Sequence, residues 1–177
     1  MRPTEVLRQE HRFIEHTLGF LVRTLSRNGN GRDIDGESGQ RIVCFLRNYL
    51  ESFHQRKEED HFLPRLAFHG VRPNTGIVGV LLYEHGRARV CLNRLYSAVL
   101  DDSSCADLPD RVKAYVRFMI RHMRMEEEIL FWMADEILTP DDQEIVEDGF
   151  DVIDMRSKDL LREVPLPRRT LPFAAAH

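Results

Sequence analysis

The sequence predicts an all-α fold: an up-down-up-down four-helix bundle with a short additional C-terminal helix and an extended tail. Apolar residues recur at three- and four-residue spacing along four long stretches, which is the helical period. Breaks rich in Gly, Asn, Asp and Pro separate these stretches, and no convincing two-residue alternation marks a strand. The 177 residues suit one domain, which we place at 1–164, followed by a tail at 165–177.

The first two helices are predicted at about 4–25 and 38–68, on either side of the connector NGNGRDIDGESG. Pro64 is expected to kink or loosen the last turns of the second helix. The inner face of the first helix carries Leu7, His11, Ile14, Leu18, Leu21 and Leu25. The inner face of the second carries Val43, Leu46, Leu50, His54, Glu58 and His61.

The third helix is predicted at about 76–100 and the fourth at about 110–138, with Asp107 as a candidate cap before the fourth. Thr139-Pro140-Asp141-Asp142 is a start signal for a shorter fifth helix that ends near residue 164. The third helix directs inward Val78, Leu81, His85, Leu92 and Val99. The fourth directs inward Val112, Tyr115, Met119, His122, Glu126, Ile129, Met133 and Ile137.

Two copies of H-x-x-x-E interrupt these apolar faces, His54–Glu58 on the second helix and His122–Glu126 on the fourth. A residue four positions after another lies on the same face one turn along, so each pair points into the bundle together. If the helices alternate in direction, His11 on the first helix and His85 on the third lie at about the same level along the bundle as these two pairs. Four helices would then bring four histidines and two carboxylates to one place.

A bound metal explains these residues better than a structural role does. Six ionisable groups in a bundle core are costly unless a cation offsets the carboxylates and fixes the neutral imidazoles. Imidazole suits iron, zinc, copper and nickel, and two glutamates from opposite helices can bridge a metal pair. The candidate ligands are His11, His54, Glu58, His85, His122 and Glu126.

The remaining charged residues of these helices are less clearly placed by the sequence. Glu59, Glu127 and Glu128 are interpreted as charges on the solvated face. Glu15, one turn after His11, and His61, seven residues after His54, are each either a further ligand or a hydrogen-bond partner of one.

Composition narrows the classes of partner. The net charge of −4 and the lack of a basic stripe argue against nucleic acid, and no apolar run approaches the roughly 20 residues that span a bilayer. The N terminus MRPTEVLRQEHR is polar, so we expect no signal peptide. Cys44, Cys91 and Cys105 form no C-x-x-C pair, which indicates reduced thiols in a cytoplasmic protein.

Around these residues the chain resembles the haemerythrin HHE cation-binding family. The similar stretches are EHRFIEHTL, FHQRKEEDHFLPRL, LLYEHGRARVCL and RHMRMEEEILFWMADEIL, which span roughly residues 1–140. The resemblance implies a four-helix bundle that holds two iron ions with an oxo or hydroxo bridge and binds dioxygen or a related small ligand. It also implies that the six candidate ligands hold the metals and that Glu58 and Glu126 bridge them.

The chain departs from the oxygen-carrying haemerythrins at two positions. Those proteins have H-x-x-x-H on the third helix, where this chain has Arg89 four residues after His85, and H-x-x-x-x-D on the fourth, where it offers Glu126 or Glu127. One histidine is therefore missing. Either the site is open or Glu15 or His61 substitutes, and an open position would favour peroxide, nitric oxide or redox chemistry over oxygen carriage.

Several functions remain open at this point. We expect a cytoplasmic di-iron protein that binds or senses dioxygen, nitric oxide, peroxide or iron, with other divalent metals such as zinc able to occupy a purified sample. The alternative is a di-iron oxidoreductase that decomposes peroxide or oxidises iron. A ferritin-like carboxylate bundle would need E-x-x-H on two helices and is disfavoured, since no such pair ends at His122. A metal-free interaction bundle is the remaining alternative.

Overall fold

The computed structural model describes residues 1–27, 36–100 and 107–162, and within these ranges all regular structure is helical. The predicted fold class is confirmed, whereas the predicted tail at 165–177 and Cys105 lie outside the described residues. Three helices are uninterrupted: α1 (Pro3–Arg27), α3 (Gly76–Leu100) and α5 (Pro140–Arg162). Two are continuous helices with wider turns inside them, α2 (36–68) and α4 (108–137).

The first four helices alternate in direction, as side-chain contacts between neighbours show. Helices α1 and α2 are antiparallel: Glu10 is hydrogen-bonded to His54, while Phe13, further along α1, packs on Tyr49, which is earlier in α2. The other three neighbouring pairs are antiparallel as well. The contacts are Arg47–Tyr96 and Glu59–His85 between α2 and α3, Arg87–Phe118 and Glu84–His122 between α3 and α4, and Thr4–Asp135 and His11–Glu127 between α1 and α4. The bundle is therefore up-down-up-down.

The fifth helix packs outside the bundle, against α2 and α1. Val146, Phe150 and Ile153 supply its buried apolar face. Within the described ranges, no helix combines the length and the apolar character that crossing a membrane would require.

Three π-helical turns widen the bundle helices where the candidate ligands lie. They are Leu50–His54 and Glu58–Phe62 in α2, and Glu126–Leu130 in α4. A π turn adds one residue to a helical turn and is frequent at functional sites. His54, Glu58 and Glu126 each lie at the end or the start of one of them.

The π turn in α4 corrects the inner face predicted from the sequence. Ile129 was expected to point inward, but it is 47% exposed, whereas Leu130 is 1% exposed. An extra residue in the turn rotates the following helix by about one position. Beyond Glu126 the buried residues are consequently Leu130, Phe131, Ala134 and Leu138, while Met133 and Ile137 are partly buried and pack against the core as predicted.

The buried apolar residues form two clusters, one on each side of the histidine level. The larger cluster includes Ile14, Leu46 and Met119, and the smaller includes Leu7, Phe62 and Phe131. Leu7 and Ile14 stand on either side of His11 on α1 and belong to different clusters. The polar residues thus form a layer between two apolar clusters, and these clusters shield the polar layer from solvent.

The predicted start of α5 is confirmed as a reciprocal cap. The Thr139 hydroxyl accepts a hydrogen bond from the Asp142 amide at 3.2 Å, and the Asp142 carboxylate accepts one from the Thr139 amide at 2.8 Å. Asp107 precedes α4 as expected, but its carboxylate pairs with Arg111 rather than capping the helix.

Substitution of Thr139 by alanine is expected to lower the free energy of unfolding by about 1 kcal/mol, because the Asp142 amide loses its acceptor. Chemical denaturation monitored by circular dichroism measures this. The matched control is Ser157→Ala, on the same helix and away from the cap. An equal loss in both variants would contradict the capping role.

Candidate metal centre

Four histidines and two glutamates meet at one level of the bundle, one or two from each of α1 to α4. None of the six is more than 2% exposed. The structure therefore brings together every residue of the predicted ligand set: His11, His54, Glu58, His85, His122 and Glu126.

One half of the centre, which we call site A, lies between α1 and α2. The Nε2 atoms of His11 and His54 are 3.2 Å apart. Glu126 Oε2 lies 3.3 Å from His11 Nε2, and Glu58 Oε1 lies 3.6 Å from His54 Nε2. Two nitrogens and two carboxylate oxygens thus face a common point.

The other half, site B, lies between α3 and α4. Glu126 Oε1 is 3.0 Å from His122 Nε2 and 3.5 Å from His85 Nε2. Glu58 Oε2 is 3.3 Å from His85 Nε2. Each carboxylate therefore directs one oxygen to site A and the other to site B, which is the arrangement of a bridging ligand.

Each histidine is held by a second carboxylate on its outer nitrogen, Nδ1. A carboxylate accepts hydrogen bonds, so Nδ1–H is the donor in every pair and Nε2 is left free for the centre. The pairs are His11–Glu127 at 2.8 Å, His54–Glu10 at 2.8 Å, His85–Glu59 at 2.7 Å and His122–Glu84 at 3.0 Å.

These contacts correct the interpretation of Glu59 and Glu127 as solvated charges, since both bind a histidine. Glu128 remains exposed, as expected. Arg89, which stands where an oxygen carrier would have a histidine, forms an ion pair with Glu59. Its guanidinium thereby balances the charge of an outer carboxylate and lies at the partly exposed edge of the bundle.

Without a metal, the imidazoles and carboxylates of the cluster stabilise each other's charged forms. Burial alone lowers the pKa of His11, but the neighbouring carboxylates of Glu126 and Glu127 raise that pKa to about 9. The pKa of His85 is likewise raised well above its usual value despite burial, by Glu126, Glu58 and Glu59. Burial raises the pKa of Glu126, yet His122 and the other imidazoles bring it well below its ordinary value. A cation would displace these protons.

Several buried polar atoms of the centre lack a hydrogen-bond partner, and a bound cation would supply the missing partner. Within the described part of the chain, four buried atoms at the centre have no hydrogen-bond partner: both Glu58 oxygens, Glu126 Oε2 and His85 Nε2. An unsatisfied buried polar group costs about 1–3 kcal/mol, and more when it is charged. A divalent cation accepts lone pairs from all of these donor atoms, so the residues present fit a metal.

The two residues left open by the sequence lie outside this cluster. Glu15 is exposed on α1. His61 is partly buried, and its ring packs so closely on Gly149 of α5 that a side chain there would clash. Neither belongs to the groups of described residues that are placed to hold an ion. Among the described residues the centre therefore has four histidines, two for each site.

Sequence reasoning missed a buried charge network behind His54. Lys57 is 0% exposed, and its Nζ lies 2.6 Å from Glu10 Oε1 and 2.5 Å from Asp154 Oδ1 of α5. Glu10 binds His54 through its other oxygen, so the network runs from α5 to the centre. The sequence does indicate that Lys57 faces the bundle interior, because residues 50, 53, 54, 57 and 58 share one helical face.

A family model described as the hemerythrin HHE cation binding domain matches residues 2–134 of the chain. That range contains all six residues of the centre and their four outer carboxylates, whereas α5 lies beyond it. Neither the curated proteins nor the solved structures contain a match to the chain.

Proposed function

This chain belongs to the haemerythrin HHE cation-binding family, and from that premise we propose that it is a cytoplasmic non-haem di-iron protein that binds or senses a small ligand. The ligands we consider are dioxygen, nitric oxide and peroxide. Cys44 and Cys91 are free thiols, which agrees with a reducing compartment. When bound, the iron pair would supply redox-active coordination positions for such a ligand.

The observation that carries the proposal is the division of the two inner carboxylates. Glu58 and Glu126 each direct one oxygen to site A and one to site B, so both halves share the same two groups. His11 and His54 would hold one ion and His85 and His122 the other. A single metal ion would need only one oxygen from each carboxylate, so the second oxygens favour a second ion.

Iron is proposed because of the donor set. Imidazole nitrogen and carboxylate oxygen without thiolate suit iron, whereas structural zinc sites usually have four ligands that include cysteine. Zinc would still bind these donors. The protein contributes fixed ligands, outer carboxylates that orient the imidazoles, and two apolar clusters that keep water from the centre.

We expect two metal ions per chain after anaerobic loading with ferrous iron, because the geometry provides two donor sets that share Glu126, one of four residues and one of three. Elemental analysis of the desalted protein measures the ratio, and magnetic susceptibility of the oxidised protein reports coupling between bridged ions. A ratio near one without coupling would contradict the dinuclear proposal.

The second candidate function, a di-iron oxidoreductase that decomposes peroxide or oxidises iron, is favoured by the missing fifth histidine. Each site has only two nitrogens and two shared oxygens from the described residues, which leaves positions for exogenous ligands. We therefore expect the iron-loaded protein to consume peroxide slowly. It should also oxidise irreversibly when the ferrous form meets dioxygen.

Stopped-flow spectra of the ferrous protein mixed with dioxygen separate the two functions, and an oxygen electrode measures peroxide consumption. The control is the zinc-loaded protein, which has the same fold without redox chemistry. A spectrum that reverses over many cycles of gas removal, with no peroxide consumption, would establish oxygen binding and exclude the oxidoreductase.

A further inference from the structure

A groove on the bundle surface, between α3 and α4, lies apart from the six residues of the centre. Its volume is about 420 Å³. This is within the range of about 300–1,000 Å³ that is typical of small-molecule sites. Cys91, Tyr115 and Phe118 line it together with three arginines, Arg87, Arg94 and Arg111.

The arginines give the groove a positive charge on a chain whose net charge is −4. Arg111 pairs with Asp107 at 2.8 Å. Arg87 lies over the Phe118 ring, 5.5 Å from its centroid, and has no carboxylate partner within the described ranges. Arg94 is exposed and likewise has no ion pair with a described residue. The groove thus carries two guanidinium groups that no described carboxylate neutralises.

Tyr115 contributes its ring to the lining of the groove, whereas its hydroxyl is buried beneath it. Tyr115 is 3% exposed, and its hydroxyl has no hydrogen bond among the described residues. Burial raises the pKa of Tyr115 well above its usual value, with smaller contributions from Cys91 and Glu51, so the phenol keeps its proton. Sequence analysis assigned Tyr115 to the core, which accounts for its ring but leaves its hydroxyl unexplained.

The apolar part of the groove reaches the metal centre through one ring. Phe118 lines the groove and stacks on the imidazole of His122, with 6.3 Å between ring centroids and 19° between planes. A ligand in contact with Phe118 would therefore lie one ring away from a candidate metal ligand.

We propose that this groove binds a small organic anion, a carboxylate on a flat apolar body. Arg87 and Arg94 would hold the carboxylate, and the apolar body would lie against the apolar lining, Leu95, Ala114 and Phe118. Guanidinium and carboxylate form the strong, planar type of pair that such a site requires.

Titration calorimetry of the full chain with 2-naphthoate tests the proposal. We expect saturable binding of one molecule per chain, and at least tenfold weaker binding of the neutral 2-naphthamide. The double variant Arg87→Gln/Arg94→Gln should weaken naphthoate binding at least tenfold.

The control is Arg117→Gln, an exposed arginine of α4 outside the groove lining, which should leave naphthoate binding unchanged. In the diamagnetic zinc-loaded protein, NMR signals of Phe118 and His122 should shift on binding while those of His54 do not. Equal binding of acid and amide, no saturable binding at millimolar concentration, or shifts confined to other residues would overturn the proposal.

Discussion

Replacing Glu126 by alanine is expected to lower the affinity for the metal pair at least tenfold. This one carboxylate serves both halves of the centre, with Oε2 facing His11 and Oε1 facing His122. Its loss would remove one of the proposed ligand oxygens from each site and the negative charge that would offset the cations. Competition with a chromophoric chelator measures the affinity, and Glu58→Ala should behave in the same way.

Two further variants make this a graded series. Glu59→Gln should have an intermediate effect, because Glu59 orients His85 without facing the centre. Glu128→Ala changes an exposed carboxylate of the same π turn as Glu126 and should change nothing. If Glu128 proved as important as Glu126, the assignment of helix faces would be wrong.

The level of the centre could be predicted from the sequence because it depends only on helical spacing. His11 and His85 were placed on inner faces from single positions, and His54–Glu58 and His122–Glu126 from repeated spacing. Each signal is weak alone. Antiparallel packing makes them coincide, and the bundle fold itself follows from the same apolar period.

The wider turns could not be predicted, because a π turn does not change the composition of a helix. Ile129 and Leu130 are equally apolar, so the sequence does not tell which of them faces the core after Glu126. The structure resolves this by the extra residue in Glu126–Leu130.

The outer carboxylates were missed for a different reason. Glu59 and Glu127 follow inner residues by one position, where a helix turns by about 100° toward solvent. Their side chains reach sideways to a histidine on a neighbouring helix, and that reach depends on the distance between helices. The sequence alone contains no such distance.

Lys57 is the residue whose loss should cost the most in folding. Lys57→Met is expected to lower the free energy of unfolding by about 3–5 kcal/mol, because it leaves the Glu10 carboxylate buried without its cation. Burial alone raises the pKa of Glu10, and His54 and Lys57 together bring it below its ordinary value. The variant therefore removes one of the two groups that keep Glu10 ionised.

A second readout separates positioning from mere stability. Since Glu10 orients His54, Lys57→Met should also weaken metal binding about tenfold in protein that remains folded. Arg56→Met is the matched control: Arg56 is the neighbouring residue, its ion pair with Asp60 is at the surface, and its loss should cost no more than about 1 kcal/mol. The double variant Lys57→Met/Glu10→Gln should recover part of the stability but not the affinity, because it removes the buried charge and leaves His54 with a weaker acceptor. Equal effects of Lys57→Met and Arg56→Met in denaturation and in chelator competition would show that the buried network supports neither the fold nor the centre.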